Sequence, residues 1–319
     1  MVGPVGLRIV FFGTPEFAVP TLDALLASRH QIVGVVTQPD RPRGRGQKTT
    51  AGPVKLRALS AGLPVLQPER LKDQSFLDAL AALRADLGVV AAYGKILTDV
   101  ALATPRLGMV NVHASLLPRY RGAAPVHRAV IAGETETGVT IMRVVKALDA
   151  GGMLARVTRA IGPDDTSDEV ERDLASLGAN LLVTTIDALT DDRVGEAPQN
   201  DAEATYAHRL TKDDGVVDWT RSARDIHNQI RGLHPWPHAF TFAGGQRVIL
   251  HRSAQATADA GTGVPGSLLE AAGDRLVVAT GAGVLQILVM QAGGKRPMAA
   301  RDFLAGHPLA AGDRFTPAP

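Results

Sequence analysis

Short apolar runs alternate with segments of helical periodicity through the first half of the chain. We interpret as strands residues 7–12, 32–37, 65–66, 87–92, the run that ends near 110, and 137–144. Between them, apolar residues at helical spacing predict helices at 54–61, 75–83 and 125–132. Strands that alternate with helices through short turns are typical of a mostly parallel sheet with helices on both faces. We therefore predict a doubly wound α/β domain, whose ligands bind at the carboxyl ends of the strands.

The second half of the chain changes character. Residues 153–161 predict an antiparallel return strand, and residues 167–189 predict a long helix with Ser167 as its N-cap. Residues 191–208 are polar and lack periodicity, which is typical of an interdomain linker. From residue 209 onward, a helix at 225–233 precedes short strands at 247–251, 276–279 and 284–290, as in a small β-barrel. The predicted domains are therefore 1–190 and 209–319, joined by the linker 191–208.

Composition excludes several classes of protein and site. The 319 residues include no cysteine, which excludes disulfides, thiolate nucleophiles and cysteine-ligated zinc. The first six residues lack the features of a signal peptide, and no run approaches the roughly 18 apolar residues that span a membrane. We therefore expect a cytoplasmic protein. The formal net charge is only +2, so binding to nucleic acid has to be argued from local clusters of basic residues.

Asn111 and His113 stand at the end of a predicted buried strand. Because they are two residues apart, their side chains point to the same face of that strand. An amide donor can hold a developing oxyanion, and an imidazole beside it can move a proton, as acyl-group chemistry requires. A polar residue at a strand end is also a common cap, so this pair alone leaves a structural interpretation open.

Two further strand ends carry candidate residues. Tyr93 and Gly94 follow the strand at 87–92, at the same predicted edge of the sheet. Asp149 shortly precedes Gly151 and Gly152, and this turn can bring its carboxylate inward. An Asp in a glycine turn also has a purely local interpretation as turn chemistry.

A basic loop follows the second predicted strand. Residues 38–48 carry Arg41, Arg43, Arg45 and Lys48 among glycines. Nothing in this loop could fold against a core, so we expect an exposed, mobile basic arm. Such a cluster favours contact with phosphate groups over a solvated loop that has no partner.

Two other patterns argue against a particular kind of site. No GxGxxG follows the first strand, which argues against a dinucleotide cofactor. Prolines between His234 and His238 break any helix that would align them, so we expect no metal site.

Several segments together resemble the methionyl-tRNA formyltransferase family over essentially the whole chain. The most specific is Asn111-x-His113-x-Ser115-Leu116-Leu117-Pro118, followed by Leu148-Asp149-x-Gly151. The others are residues 13–17, 38–48, 89–94, 119–125 and 137–142, and Pro235-Trp236-Pro237. The departures are modest: His234 stands where that family often has Asn, and Gly152 replaces a commonly acidic or proline position.

This resemblance implies a Rossmann-like formyltransferase domain that binds 10-formyltetrahydrofolate, and a C-terminal OB-like β-barrel. It implies Asn111, His113 and Asp149 as catalytic residues, with no metal. The implied folate-binding residues are Tyr93, Gly94, Ser115, Leu116, Leu117 and Pro118. The implied contacts to initiator methionyl-tRNA are Arg41, Arg43, Arg45 and Lys48 of the arm, with Lys212 and Lys295 in the second domain. A monomer is compatible with two domains that share one substrate.

Three other functions remain open on the sequence. The same residues could formylate a small amine, or they could hydrolyse the formyl donor with water as the nucleophile. A non-catalytic RNA-binding protein could use the barrel and the arm alone. The basic arm and the second domain argue against the first two, and the third leaves Asn111, His113 and Asp149 without a role.

Overall fold

The computed structural model describes residues 6–43, 48–191, 193–256 and 263–319. Two compact units are present. The first comprises Met1–Pro125, Thr137–Arg159 and Glu171–Ala207, and the second comprises Val126–Glu136, Ala160–Val170 and His208–Pro319.

The elements of the α/β pattern lie in the first unit and in the two segments of the second unit that interrupt it in sequence. In chain order the elements are β1 (Arg8–Gly13), α1 (Val19–Leu26), β2 (Gln31–Val36), β3 (Arg41–Arg43), β4 (Lys48–Thr50), α2 (Pro53–Ser60), β5 (Val65–Leu66), α3 (Gln74–Ala82), β6 (Leu87–Ala91), α4 (Asp99–Ala103), β7 (Met109–His113), β8 (Arg121–Gly122), α5 (Pro125–Ile131), β9 (Glu136–Arg143), β10 (Met153–Ala160) and α6 (Ser167–Thr190). The later elements are β11 (Tyr206–Ala207), α7 (Ala223–Gly232), β12 (Ala239–Ala243), β13 (Gln246–Gln255), β14 (Leu268–Ala272), β15 (Arg275–Ala279), β16 (Val284–Ala292), β17 (Met298–Ala299), α8 (Ala300–Gly306) and β18 (Phe315–Thr316).

The main sheet of the first unit has the strand order β10-β9-β7-β6-β1-β2-β5. Strands β7, β6, β1, β2 and β5 run parallel, and β9 is antiparallel to β7. The apolar residues of β1 are buried on both faces because helices cover both. On one face Phe12 packs in a core with Phe76 and Leu80 of α3. On the other face, α6 packs closely against β7. A Cβ added to Gly178 of α6 would lie only 2.8 Å from a methyl carbon of Val112. The predicted doubly wound, mostly parallel sheet is confirmed.

Helix α6 begins with a different cap from the one predicted. Glu169 accepts hydrogen bonds from the backbone N–H of Thr166 at 2.8 Å and from its hydroxyl at 2.7 Å, and these bonds lower the pKa of the Glu169 carboxyl. The Thr166 Oγ1 in turn lies 3.4 Å from the Glu169 nitrogen, which makes the pair a capping box. Ser167 instead donates its hydroxyl to the Gly232 carbonyl oxygen at 2.8 Å. The prediction that Ser167 caps the helix is therefore wrong.

The basic arm contains regular structure at its base. Strands β3 and β4 pair in an antiparallel ribbon, with Arg41 opposite Thr50 and Arg43 opposite Lys48. Arg45 lies outside the described residues. The sequence did not predict this ribbon, whose two strands satisfy backbone groups of each other without a hydrophobic core.

The second unit is built on an antiparallel half-barrel sheet with the order β14-β15-β16-β13-β12-β18, and β17 pairs with β16. Its interior includes Trp219, which lies 5.6 Å from the Phe315 ring between centroids and donates its indole N–H to Thr241 at 3.0 Å. This architecture agrees with the predicted C-terminal β domain. Among the described residues, no helix is both long and apolar enough to cross a membrane.

Candidate active site

His113 ends β7 with one ring nitrogen already engaged. Its Nε2 lies 3.0 Å from the carbonyl oxygen of Tyr120, and the residue is only 5% exposed. Because a carbonyl oxygen can only accept, Nε2 carries the hydrogen, and the neutral ring keeps its lone pair on Nδ1. This hydrogen bond therefore makes Nδ1 the nitrogen that is able to take up a proton.

Asp149 faces that nitrogen. Its Oδ2 lies 3.7 Å from His113 Nδ1 and accepts a hydrogen bond of 2.8 Å from the backbone N–H of Gly122. Asp149 has a positive φ of 46°, as occurs in tight turns. The turn also packs closely against the end of β9, because a Cβ added to Gly151 would lie 2.0 Å from the Arg143 carbonyl oxygen. The glycine turn thus brings the carboxylate to His113, although the two residues are far apart in sequence.

Asn111 lies two residues before His113 in the same strand. It is opposite Val90 of β6 and Met142 of β9, and it is partly buried. Alternation along the strand directs Asn111 and His113 to one face, while Val110 turns to the other. The structure therefore brings the three predicted catalytic residues to one end of β7.

Gln199 joins the site from the segment that we interpreted as a linker. Its Nε2 donates to the carbonyl oxygens of Asp149 at 2.8 Å and Gly151 at 2.7 Å. Its Oε1 accepts from Arg121 Nε at 3.0 Å and Nη2 at 2.8 Å. Arg121 is only 3% exposed and also pairs with Asp201 at 2.7 Å. Gln199 thus fixes the turn that carries Asp149 and compensates a buried guanidinium.

The sequence offered no local signal for Gln199. It stands in a polar stretch without periodicity, and its partners lie between 48 and 78 residues earlier in the chain. The same segment also holds the loop after His113. The Thr205 Oγ1 accepts a hydrogen bond from the backbone N–H of Tyr120, and the Thr205 carbonyl oxygen accepts one from the backbone N–H of Arg121. Both distances are 2.8 Å.

The loop at residues 115–118 packs against β9. Thr140 Oγ1 donates to the Ser115 carbonyl oxygen at 2.7 Å and accepts from the Leu117 N–H at 3.2 Å. Ser115 and Leu117 are buried, while Leu116 and Pro118 are partly exposed. A side chain at Gly138 would lie 2.5 Å from Leu116, so this glycine makes room for the loop. Only part of the predicted folate-binding loop thus presents its side chains outward.

Tyr93 contributes its ring to the core rather than to an open surface. The ring lies edge-on to Phe12 at 5.5 Å between centroids, and burial raises the pKa of the Tyr93 hydroxyl to about 12. Its carbonyl oxygen accepts from Thr14 Oγ1 at 3.1 Å and Gln38 Nε2 at 2.8 Å. Gly94 follows with a φ of +80°, which favours glycine. The Tyr93 side chain at this strand end is therefore buried.

The predicted RNA-contacting residues occupy the surface where they are described. Arg41 is exposed at the start of β3 in the first unit, and Lys212 and Lys295 are exposed in the second. Arg43 and Lys48 belong to the paired strands β3 and β4.

His234 and His238 are adjacent in space, although no helix aligns them. Their ring centroids lie 5.4 Å apart, and each ring is also near His251. The prolines were predicted to break any helix that would align the pair, and from this we expected no metal site. A tight turn and the pairing of β12 with β13 instead bring these residues together without a helix.

Comparison with known proteins shows the family of the chain. A family model described as formyl transferase matches residues 7–186, and one described as its C-terminal domain matches residues 209–308. The methionyl-tRNA formyltransferase of Moorella thermoacetica is 47% identical over 307 residues, which cover 96% of this chain and 98% of that protein. The protein of the same name from Methylococcus capsulatus is 48% identical over 304 residues, with 95% and 98% covered. The chain belongs to the methionyl-tRNA formyltransferase family.

Solved structures share the fold of this formyltransferase family member at lower identity. WlaRD, a sugar 3N-formyl transferase solved in the presence of dTDP and 5-N-formyl-THF, superposes with a TM-score of 0.68 at 18% identity, covering 91% of this chain and 99% of that one. HypX from Aquifex aeolicus in complex with tetrahydrofolic acid gives a TM-score of 0.64 at 15% identity, covering 94% and 47%. Gln199 falls in the interval between the two matched family models.

Proposed function

We propose that the chain transfers the formyl group of 10-formyltetrahydrofolate to the α-amino group of methionyl-initiator tRNA. The observation that carries this proposal is the match, at 44–48% identity over nearly the whole chain, to proteins named methionyl-tRNA formyltransferase. The geometry at the end of β7 supports it, because an amide, an imidazole and a carboxylate are the groups that formyl transfer to an amine requires.

In this proposal His113 moves the proton. As the methionyl amine attacks the formyl carbon, Nδ1 accepts the proton that the amine loses. Throughout this step the Nε2–H group continues to donate its hydrogen bond to the Tyr120 carbonyl oxygen. Asp149, 3.7 Å from Nδ1, stabilises the imidazolium so formed. His113 then returns the proton to the folate nitrogen as its bond to the formyl carbon breaks. The new N–C bond replaces the old one, and no oxidant or reductant is consumed.

Asn111 has the complementary role. Its amide N–H donates to the formyl oxygen, which gains negative charge during the attack, and one such donor is commonly worth roughly 10²–10³ in rate. The co-substrate contacts that we propose are the strand ends and loop around these residues: Tyr93 and Gly94 through the backbone, and Ser115, Leu116, Leu117 and Pro118. The catalytic groups are all side chains of this protein.

We further propose that Arg41, Arg43, Arg45 and Lys48, with Lys212 and Lys295, contact the tRNA backbone. The exposure of the described members supports this role, since phosphate contacts dominate affinity for RNA. In the plot of log affinity for tRNA against log salt concentration, Arg41→Ala is expected to reduce the magnitude of the slope by about 1, which corresponds to the loss of one phosphate contact. Arg106, an exposed arginine at the amino end of β7, provides the matched control, and an equal loss in Arg106→Ala would refute a specific role for the arm.

The acceptor is tested by formyl transfer from 10-formyltetrahydrofolate to initiator methionyl-tRNA, to elongator methionyl-tRNA, and without any acceptor. Transfer confined to the initiator tRNA is the expected result. Release of formate without acceptor would identify a hydrolase. Failure with both tRNAs but transfer to a small amine would identify an acceptor of the sugar or nucleotide class. The same preparation, analysed by light scattering, tests the proposed monomer.

A further inference from the structure

Three histidines converge in the second unit. His234 and His238 flank a turn that is closed by a hydrogen bond of 3.0 Å from the His238 N–H to the Leu233 carbonyl oxygen. The pairing of β12 with β13 sets Ala239 opposite Leu250, so His238, one residue earlier, faces His251. The ring centroids are 4.5 Å apart for His238 and His251. Each of the three rings offers one nitrogen, and these nitrogens all lie within 4.8 Å of one another.

A chain of hydrogen bonds orients the ring of His251. The Gln291 amide Nε2 donates to the Lys295 carbonyl oxygen at 2.6 Å, so the oxygen of that amide faces His251. His251 Nε2 lies 2.8 Å from this oxygen and therefore carries the hydrogen. The lone pair of His251 is then on Nδ1. An outer partner that fixes the tautomer of an imidazole in this way is usual for metal-binding histidines.

The other two rings have a nitrogen without a partner. Nδ1 of His234 and Nδ1 of His238 are buried, and neither has a hydrogen-bond partner among the described residues. A buried polar atom without a partner costs free energy unless a ligand or water satisfies it. Each of these two nitrogens is therefore a candidate ligand atom.

We propose that His234, His238 and His251 form a binding site for a divalent transition-metal ion of the zinc class. Imidazole nitrogen suits zinc, cobalt, nickel and copper, whereas calcium and magnesium prefer oxygen ligands. Zinc–nitrogen distances of about 2.0–2.1 Å put the donors of a tetrahedral site about 3.3 Å apart. Small side-chain rotations bring three nitrogens that lie within 4.8 Å to that spacing. A fourth position stays open to water or another ligand.

Charged and titratable groups of both signs act on His234. The Asp168 and Glu169 carboxylates act on His234 with the sign that stabilises positive charge, whereas His251 and Arg252 act against it. A divalent ion held by the three imidazoles would satisfy the two unpartnered nitrogens at once. The three histidines belong to the second unit, whereas His113 belongs to the first.

The test is binding of Zn²⁺ and Co²⁺ to the full chain, purified without a histidine tag and stripped with chelator. We expect one Zn²⁺ per chain by calorimetry, and visible absorption of Co²⁺ bound to nitrogen donors. His234→Gln, His238→Gln and His251→Gln are each expected to weaken binding at least tenfold, and Gln291→Ala by about 10–100-fold. Trp236, which is exposed between the first two histidines, serves as a fluorescent reporter that bound Co²⁺ quenches.

His208→Gln is the matched control, since His208 is an exposed histidine outside the cluster. Its affinity for metal should equal that of the wild type. The proposal is overturned if the wild type shows no saturable binding of one ion. It is also overturned if His238→Gln and Gln291→Ala, shown to be folded by circular dichroism, bind as the wild type does, or if His208→Gln loses binding equally.

Discussion

His113 and the three-histidine cluster formed by His234, His238 and His251 hold imidazoles in opposite ways. The His113 ring lies between a backbone carbonyl oxygen on Nε2 and a carboxylate 3.7 Å from Nδ1. In the cluster the rings face one another, and neighbouring imidazoles add to the burial that lowers the pKa of His238 to about 4. A carboxylate beside an imidazole stabilises the protonated ring, whereas imidazoles that face one another disfavour a positive charge on any one of them. The first arrangement suits proton transfer, and the second suits binding of a metal cation.

The sharpest test of this contrast is His113→Gln. This change removes the proton-accepting nitrogen but keeps a side chain of similar size, so we expect formyl transfer to slow by roughly 10²–10⁴. Affinity for tRNA should be nearly unchanged. Single-turnover rates and tRNA binding, measured on the same preparation, separate the two effects. His208→Gln should retain the wild-type rate, and a comparable loss there would break the distinction between His113 and the other histidines.

Gln199 tests how firmly Asp149 must be held. Gln199→Ala removes the donors to the Asp149 and Gly151 carbonyl oxygens and one acceptor of Arg121. We expect a tenfold to hundredfold loss in kcat, because small displacements of a reacting geometry are costly. Leaving Arg121 partly unsatisfied should also lower the free energy of unfolding by about 1–3 kcal/mol.

Gln199→Glu distinguishes positioning from simple stabilisation. The carboxylate still pairs with Arg121, but it cannot donate to the two carbonyl oxygens. Stability should therefore recover, while kcat should remain low. Full activity in Gln199→Ala despite a lower melting temperature would mean that the network only supports the fold.

The smallest expected effect concerns His127 in α5, a third environment for an imidazole. Burial, aided by Arg128, lowers the pKa of His127 to about 4, although Asp168 opposes this shift. The unfolded chain then binds more protons than the folded one between about pH 6.5 and 4, so stability falls as the pH falls through this window. His127→Gln should reduce this dependence by at most about one proton. Urea unfolding at a series of pH values measures it, and an unchanged slope would contradict the assigned environment.

Most of the α/β architecture was predictable because its signals are local. Strands buried on both faces give continuous apolar runs, and β5 was located at Val65–Leu66 as expected. The relation between Asn111 and His113 follows from the alternation of a strand, which depends only on neighbouring residues. Helix α6 was found for the same reason, although its capping box was missed.

The rest depended on contacts between distant segments. Gln199 reaches residues 48 to 78 positions earlier, and nothing in its own surroundings indicates this. The antiparallel direction of β9 and the facing of His238 and His251 follow from strand pairing, which neither strand specifies alone. The ribbon of β3 and β4 was missed because short paired strands need no apolar pattern.

The most direct test of the central claim is the rate of a single turnover of formyl transfer to initiator methionyl-tRNA in Asp149→Asn. The amide keeps the shape of Asp149 but removes the negative charge that faces His113 Nδ1. With both substrates saturating, we predict a rate far below that of the wild type and tRNA affinity within about twofold. A wild-type rate, or a loss of affinity as large as the loss of rate, would contradict the proposed chemistry at the end of β7.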